Sequence, residues 1–253
     1  MNPHWPKHIW IVRHGESAGN VARNAALRSG ATHIKIAERD VDVPLSPLGE
    51  EQSRSVGRWF GDLDPDQRPD VVLTSPYLRA RSTAELIRAE AWPDSSIPFV
   101  VDERLREKEF GVLDRLTGEG IAALHPEQAE FRRLLGKFYH RPPAGESWCD
   151  VILRLRSALD TVSLHYGGRR VLIVAHQVVV LCLRYLIENM TEQQILAIDA
   201  LGDVANCSVT EYALDPAKAP TSQLVLQRYN FVAPMVREGT PVTAEPDANV
   251  AAR

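Results

Sequence analysis

The apolar run Ile9-Trp10-Ile11-Val12 leads straight into Arg13-His14-Gly15-Glu16-Ser17. A short, continuously apolar segment describes a strand covered on both faces, the habit of a parallel sheet packed between helices. The charges and the glycine end it abruptly, so a guanidinium and an imidazole stand side by side at the carboxyl end of a buried strand. Open α/β sheets bind ligands in the crevice beyond those carboxyl ends. A histidine flanked by a fixed positive charge suits work on an anionic group, phosphoryl above all. Taken alone, a histidine closing a strand is more often a hydrogen-bonded packing residue than a nucleophile, and the pentapeptide needs partners elsewhere in the chain.

The rest of the pattern supplies the architecture. Apolar, β-branched runs recur at Asp70 to Thr74, Ile97 to Val101 and Arg170 to Ala175, each predicting a strand covered on both faces. Ser46-Pro47 pairs an N-cap with proline at the first helical position and predicts a helix through about Phe60. From Pro76 to about Glu90, Leu78, Ala80, Ala84, Leu86 and Ile87 recur at helical spacing among charged residues. A helix-rich stretch from about Thr117 to Phe138 is broken at Pro126; further helices are predicted from Glu146 to His165 and from Val178 to Glu188. Asn206 to Leu214 and Gln223 to Tyr229 read as a strand pair in a hairpin or at an edge.

Strands alternating with helices predict a three-layer α/β/α sandwich with a mostly parallel central sheet and helices on both faces. No internal repeat or low-complexity linker interrupts the chain, so residues 1–233 are expected to form a single domain, with a helical cap at about 117–141. The segment 234–253, rich in Pro, Ala, Thr and charge, is expected to be a flexible tail.

Composition narrows the function classes. The net charge of −4 lacks the basic footprint of a nucleic-acid binder, so a positive pocket would be a local device for a small anion. Cys149, Cys182 and Cys207 contain no Cys-x-x-Cys pair and suggest neither a disulfide framework nor a zinc site; Cys182, in an apolar helix, reads as a small hydrophobe. The N-terminal residues lack a signal-peptide core, and no apolar run approaches the length of a membrane span. A cytoplasmic location without membrane partners is expected. The sequence leaves the oligomeric state open, a homodimer included.

Three strand ends carry residues that fit one site. The second predicted strand leads into Ser75-Pro76-Tyr77-Leu78-Arg79, which places Arg79 in the first turn of the next helix. The strand ending at Ala175 leads into His176-Gln177. Arg79 alone would be a solvated helix residue, as Arg81 and Arg88 are expected to be, and His176 alone a satisfied core histidine. If the strands are parallel neighbours, however, Arg13, His14, Arg79 and His176 converge with helix N-termini into a site for a tetrahedral anion.

Six segments in this order resemble the histidine phosphatase superfamily, the phosphoglycerate mutase-like proteins of branch 1, over residues 8–214. They are Arg13-His14-Gly15-Glu16-Ser17 with Asn20, Pro44-Leu45-Ser46-Pro47-Leu48-Gly49, Thr74-Ser75-Pro76-Tyr77-Leu78-Arg79-Ala80, Leu105-Arg106-Glu107-Lys108-Glu109-Phe110-Gly111, Gly145-Glu146-Ser147 and Val174-Ala175-His176. The resemblance implies that His14 is the nucleophile that accepts the phosphoryl group. Arg13, Arg79 and His176 match the phosphate-pocket residues, with Asn20 adding a hydrogen bond. Glu107 matches the proton donor to the leaving group, and then the base for water attacking the phosphohistidine; Glu109 is read as a surface residue. An imidazole titrates near neutrality, and adjacent guanidiniums favour its neutral, nucleophilic form. With no metal-ligand cluster in the sequence, metal-independent chemistry without a cofactor is expected.

The chain departs from the family pattern at Gln177, where many members have glycine but the fructose-2,6-bisphosphatase branch also carries His-Gln. Arg115 stands where relatives often have glycine, and the interval from Asn20 to Leu45 is longer than in mutases and is read as a flap over the site. The stretch Gly136 to Ser147 resembles the phosphatase side of the family. Arg132-Arg133 is similar to a basic pair that mutases use on a second anionic group, but is read here as a solvated helix face. A phosphatase acting on a small phosphorylated metabolite is therefore favoured. The alternatives are a phosphoglycerate mutase, a sugar bisphosphatase, or a pseudoenzyme that binds phosphorylated ligands; the last does not need the retained Glu107.

Overall fold

A computed structural model describes residues 5–94, 96–215 and 224–244. Its six strands are β1 (His8–Arg13), β2 (Val71–Thr74), β3 (Phe99–Val101), β4 (Arg170–Ala175), β5 (Val209–Leu214) and β6 (Leu224–Phe231), in the spatial order β3-β2-β4-β1-β5-β6. The first four in that order run parallel, and β5 and β6 are antiparallel additions beside β1. β1 lies inside the sheet, and its alternation explains why. Ile9 and Ile11 point to one face, against α6 (Trp148–Tyr166) and α7 (Gln177–Ile187). Trp10 and Val12 point to the other, against α2 (Pro47–Gly61) and α3 (Leu78–Ala91). Both faces are apolar because both are covered, which is the layered α/β arrangement that the strand pattern predicts.

Register brings the carboxyl ends level. Arg13 pairs with Ala175 across β1 and β4, and Thr74 pairs with Val174 across β2 and β4. The ladder continues one step past the strands, through His14 N–H to the Ala175 carbonyl at 2.9 Å and Ser75 N–H to the Val174 carbonyl at 3.0 Å. The backbones of His14, Ser75 and His176 thus leave the sheet at one height.

The helical cap comprises α4 (Gly118–Leu124) and α5 (Pro126–Tyr139), with the break at Pro126 as the sequence predicts and a second, at Gly136 with φ +76°, that it does not. Two further helices carry weak sequence signals. The first, α1 (Ala18–Arg28), lies in the interval read as a flap; the second, α8 (Glu192–Leu201), buries only Ile195 fully. β3 departs from expectation in exposure: it is an edge strand, with Val100 and Val101 facing solvent. β5 begins at Val209 rather than Asn206, because Cys207 adopts φ +53° and donates its N–H to the Arg13 carbonyl at 3.0 Å instead of joining the ladder. The start of the predicted strand at Gln223 lies outside the described residues.

The expectation of a flexible tail from Pro234 is corrected for residues 234–244; 245–253 lie outside the described residues. Here α9 (Ala233–Glu238) buries Met235 beside Trp10, Val56 and Phe60. Beyond it, Thr240 Oγ1 meets Ser55 Oγ at 2.8 Å, and Gln52 Nε2 donates to the Pro241 carbonyl at 2.9 Å and to Thr243 Oγ1 at 3.0 Å. One buried methionine and a few hydrogen bonds suffice to dock a segment whose composition alone reads as loose. Met235→Ala should therefore cost about 2–5 kcal/mol, lowering the urea midpoint; a free tail would leave the midpoint unchanged.

Candidate active site

The turn that carries His14 is pressed against the N-terminus of α2. Ser46 caps that helix by accepting the Gly49 N–H at 3.0 Å while donating its hydroxyl to Glu16 Oε1 at 2.6 Å. The Ser46 N–H donates to the Glu16 carbonyl at 2.9 Å, and the Glu16 N–H to Gln52 Oε1 at 2.9 Å. From the other side, Gly15 N–H reaches Thr83 Oγ1 at 3.0 Å, and Asn206 Nδ2 donates to the His14 carbonyl at 3.1 Å. The packing leaves no room for side chains: a Cβ on Gly49 would overlap the Glu16 backbone, and one on Gly15 would overlap the Gly49 carbonyl. The glycines are there for close approach.

Within this clamp the His14 ring is oriented by its own neighbour. Nδ1 lies 2.7 Å from the Gly15 carbonyl, an acceptor only, so Nδ1 carries the proton and Nε2 the lone pair. Arg79 Nε donates to that Nε2 at 3.3 Å. The His176 ring stands edge-on to His14, with centroids 5.1 Å apart, and its Nε2 lies 2.7 Å from Ser75 Oγ. Tyr77 packs against both partners, its ring 5.2 Å from His176 and 5.0 Å beneath the Arg79 guanidinium. Burial, and then the carboxylate of Glu109 2.8 Å from its hydroxyl, raise the Tyr77 phenol above its ordinary range and keep it neutral. Arg13 is buried and donates through Nη1 to the Val204 carbonyl.

The other two predicted site residues are Asn20 and Glu107. Asn20 occupies the first turn of α1, where its Oδ1 accepts the Ser17 N–H at 2.9 Å in a capping box. With Oδ1 engaged there, the donor it can offer a ligand is Nδ2. Glu107 is buried on the segment that leaves the sheet beyond β3 and the 3-10 turn Glu103–Leu105. Its Oε1 accepts the Lys108 N–H at 2.7 Å, and its carbonyl accepts Arg154 Nη2 at 3.1 Å. Arg154 also bridges to Glu146 at 2.9 Å; burial opposes ionisation of that carboxyl, yet the Arg154 bonds and charge hold it below the ordinary carboxylate range.

Beside Glu107 lies a group of cations of which the sequence pattern singled out Arg132 but not Lys108 or His140. Lys108 is buried with its ammonium 4.2 Å over the Phe110 ring. Burial, and then the nearby Arg132 charge, push its pKa down to about 8. Burial, and then Arg132 and Lys108, also lower His140, and burial lowers Arg132 itself. The solvated-face reading is thus corrected for Arg132, whereas Arg133 is exposed and paired with Glu130 at 2.6 Å. Lys108 adjoins Glu107 in sequence, and that adjacency was the available signal. Gln128 and His140 line an open groove of about 460 Å³ beside α5.

The interval after α1 forms a strap. Arg115, at φ +59° where glycine is easier, donates to the carbonyls of Ile36 at 3.2 Å and Glu38 at 2.7 Å. Further along the strap, Asp40 reaches the Arg79 guanidinium, with Oδ1 3.0 Å from Nη1. Gln177 turns away to donate to Asp203 at 2.8 Å. Among the described residues, no group of three or more His, Cys, Asp or Glu side chains is placed to hold a metal ion, and no helix is long and apolar enough to cross a membrane.

The model of the histidine phosphatase superfamily (branch 1) matches residues 9–226. A protein from Photorhabdus laumondii described as "Probable phosphoglycerate mutase GpmB" is 32% identical over 177 residues, covering 69% of this chain and 72% of that protein. Among solved structures, Bacillus stearothermophilus YhfR superposes with a TM-score of 0.70 at 24% identity, covering 90% of this chain and 98% of the other. A mycobacterial glucosyl-3-phosphoglycerate phosphatase does so with a TM-score of 0.66 at 22% identity, covering 89% and 99%.

The clamp itself is testable. Gly49→Ala forces the α2 N-terminus off the Glu16 backbone and should destabilise the fold by on the order of 3 kcal/mol, read from denaturant unfolding. Gly61→Ala, where a Cβ would meet Ala91 at an ordinary 3.4 Å, should leave stability near that of the parent. Equal midpoints for the two variants would contradict the close approach.

Proposed function

We propose that this chain, which belongs to branch 1 of the histidine phosphatase superfamily, is a metal-independent phosphomonoester hydrolase that works through a phosphohistidine at His14 on a small phosphorylated metabolite of the cytoplasm. The observation that carries the reading is the 2.7 Å contact from His14 Nδ1 to the Gly15 carbonyl, which turns an Nε2 lone pair toward Arg79. Nε2 attacks phosphorus, and the bond from phosphorus to the ester oxygen breaks. Charge spreading over the equatorial oxygens is met by Arg13, Arg79 and His176, with Asn20 Nδ2 as a further donor. Glu107, protonated, gives its proton to the leaving oxygen. Water then attacks the phosphohistidine, Glu107 takes the water proton, and the N–P bond breaks to release phosphate and restore His14.

The cations Lys108 and Arg132 support a narrower substrate class: a phosphomonoester with a second anionic group, carboxylate or phosphate, on the leaving-group side. The same feature suits phosphoglycerate mutase chemistry, and the name given to the Photorhabdus relative favours that second reading. Interconversion of 2- and 3-phosphoglycerate faster than phosphate release would establish the mutase instead.

Chelator-treated enzyme should hydrolyse p-nitrophenyl phosphate, and His14→Ala should abolish phosphate release; full activity in that variant would refute the mechanism. Glu107→Gln should lower kcat by about 10²–10⁴-fold on alkyl phosphates, whose leaving groups need a proton, and much less on p-nitrophenyl phosphate, whose leaving group does not. The Lys108 ammonium is charged below its pKa of about 8 and neutral above it. KM for a doubly anionic substrate such as 3-phosphoglycerate should therefore rise as pH passes upward through 8, while KM for p-nitrophenyl phosphate does not follow. Lys108→Met should raise the former KM roughly tenfold at neutral pH and remove its pH dependence.

A further inference from the structure

The strap places an acid where a phosphoryl group would bind. Arg79 has 2% of its side chain exposed, whereas Asp40 has 40%. The Arg79 guanidinium is engaged at each nitrogen: Nε donates to His14 Nε2 at 3.3 Å, Nη1 to the Asp40 carbonyl at 2.6 Å and to Asp40 Oδ1 at 3.0 Å, and Nη2 to Asp40 Oδ2 at 3.4 Å. Two carboxylate oxygens on two guanidinium nitrogens reproduce the fork by which arginine holds a phosphoryl group. The Asp40 charge is felt by its surroundings, since it helps to raise both Asp114 and Tyr77 after burial has done so.

The attachment of the strap suits movement at this point. Arg115 ties down the carbonyls of Ile36 and Glu38, and at the far end Val43 is buried and Leu45 pairs with Ser17. Between these anchors the 3-10 turn Asp40–Asp42 is closed by its own bonds, from Asp42 N–H to the Arg39 carbonyl at 2.8 Å and from Arg39 Nε to Asp42 Oδ2 at 2.6 Å. Asp40 can leave Arg79 without breaking either bond.

We infer that Asp40 is a built-in competitor of the phosphoryl group, its carboxylate filling the Arg79 fork in the resting enzyme and leaving it when a phosphorylated ligand enters. A phosphoryl dianion and a carboxylate on one guanidinium repel each other, so binding a ligand requires the strap to release. The same contact works in the other direction after turnover: Asp40, returning to Arg79, displaces inorganic phosphate. It thereby sets affinity for substrate and for product together. The inference rests on the reading of Arg79 as a phosphoryl ligand.

The test is the competitive inhibition constant of inorganic phosphate, measured against p-nitrophenyl phosphate in the full chain. Asp40→Asn keeps the shape and removes the charge. It should lower that constant and KM together by about tenfold, with kcat unchanged or reduced by slower phosphate release. Glu38→Gln removes an equal charge from the same strap at an exposed side chain and should leave both constants as they are. An unchanged or raised phosphate constant in Asp40→Asn would overturn the inference, as would an equal fall in both variants, which would mean a general field effect. A loss of kcat with no gain in phosphate affinity would make Asp40 a positioning residue for Arg79 and overturn it too. Failure of the underlying reading looks different: Arg79→Gln would then leave KM and the phosphate constant of the parent enzyme unchanged.

Discussion

The contact on which the rest depends is the one between the turn at Gly15-Glu16 and the first turn of α2. It has no side chain at its closest point: Gly15 and Gly49 meet backbone to backbone, and Ser46, Glu16 and Gln52 lock the approach with hydrogen bonds. That joint fixes where β1 stops, and therefore where His14 begins. The Gly15 carbonyl is held in the same turn and fixes the imidazole tautomer, so the proposed nucleophile and its orientation come from one piece of backbone. Helix α3 adds Thr83 to hold Gly15 and Arg79 to meet Nε2. The chemistry is therefore a property of how the turn after one strand is packed, more than of any single side chain.

Parallel register does the remaining assembly. Because β1, β4 and β2 end level, residues far apart in the chain arrive at one crevice without a dedicated scaffold for each. Concentrating guanidiniums and imidazoles there would be unfavourable if nothing offset the charge. In the resting protein Asp40 supplies an anion to Arg79, and Glu109 holds the Tyr77 hydroxyl between the Arg79 and His176 surroundings. On the cap side burial lowers the proton affinities of Lys108 and Arg132, and Arg132 lowers that of Lys108 further, while Glu107 and Glu146 offset the effect in part at Lys108 and Asp199 does so at Arg132. Two cations brought together out of solvent are the physical basis for proposing that the second anionic group of a substrate binds on that side.

Much of this was legible in the sequence because the signals are local. An apolar run of β-branched residues ends at a charge, a Ser-Pro pair opens a helix, and three predicted strand ends carry the residues of one site. Legibility failed where long-range contacts overrule composition. The segment after Pro234 reads as loose, yet Met235 enters the core between α2 and β1. α1 and α8 bury few residues, so their apolar periodicity is faint. Arg132 and Arg133 are identical side chains one position apart; only the direction of the α5 face makes one half-buried and the other solvated. The length of the interval from Asn20 to Leu45 signalled a flap, but the contacts of Asp40 and Arg115 depend on how that strap is laid down, which no spacing in the sequence encodes.

The central claim is that the proton on Nδ1 leaves Nε2 of His14 to form the bond to phosphorus. The most direct measurement is rapid acid-free quenching during turnover of a phosphomonoester, followed by mapping of the base-stable, acid-labile adduct and by ³¹P–¹⁵N coupling in ¹⁵N-histidine-labelled protein. The account predicts a single phosphorylated residue, His14, with phosphorus coupled to Nε2. A phosphoryl group on Nδ1, on His176, or on no histidine at all while turnover proceeds would contradict it.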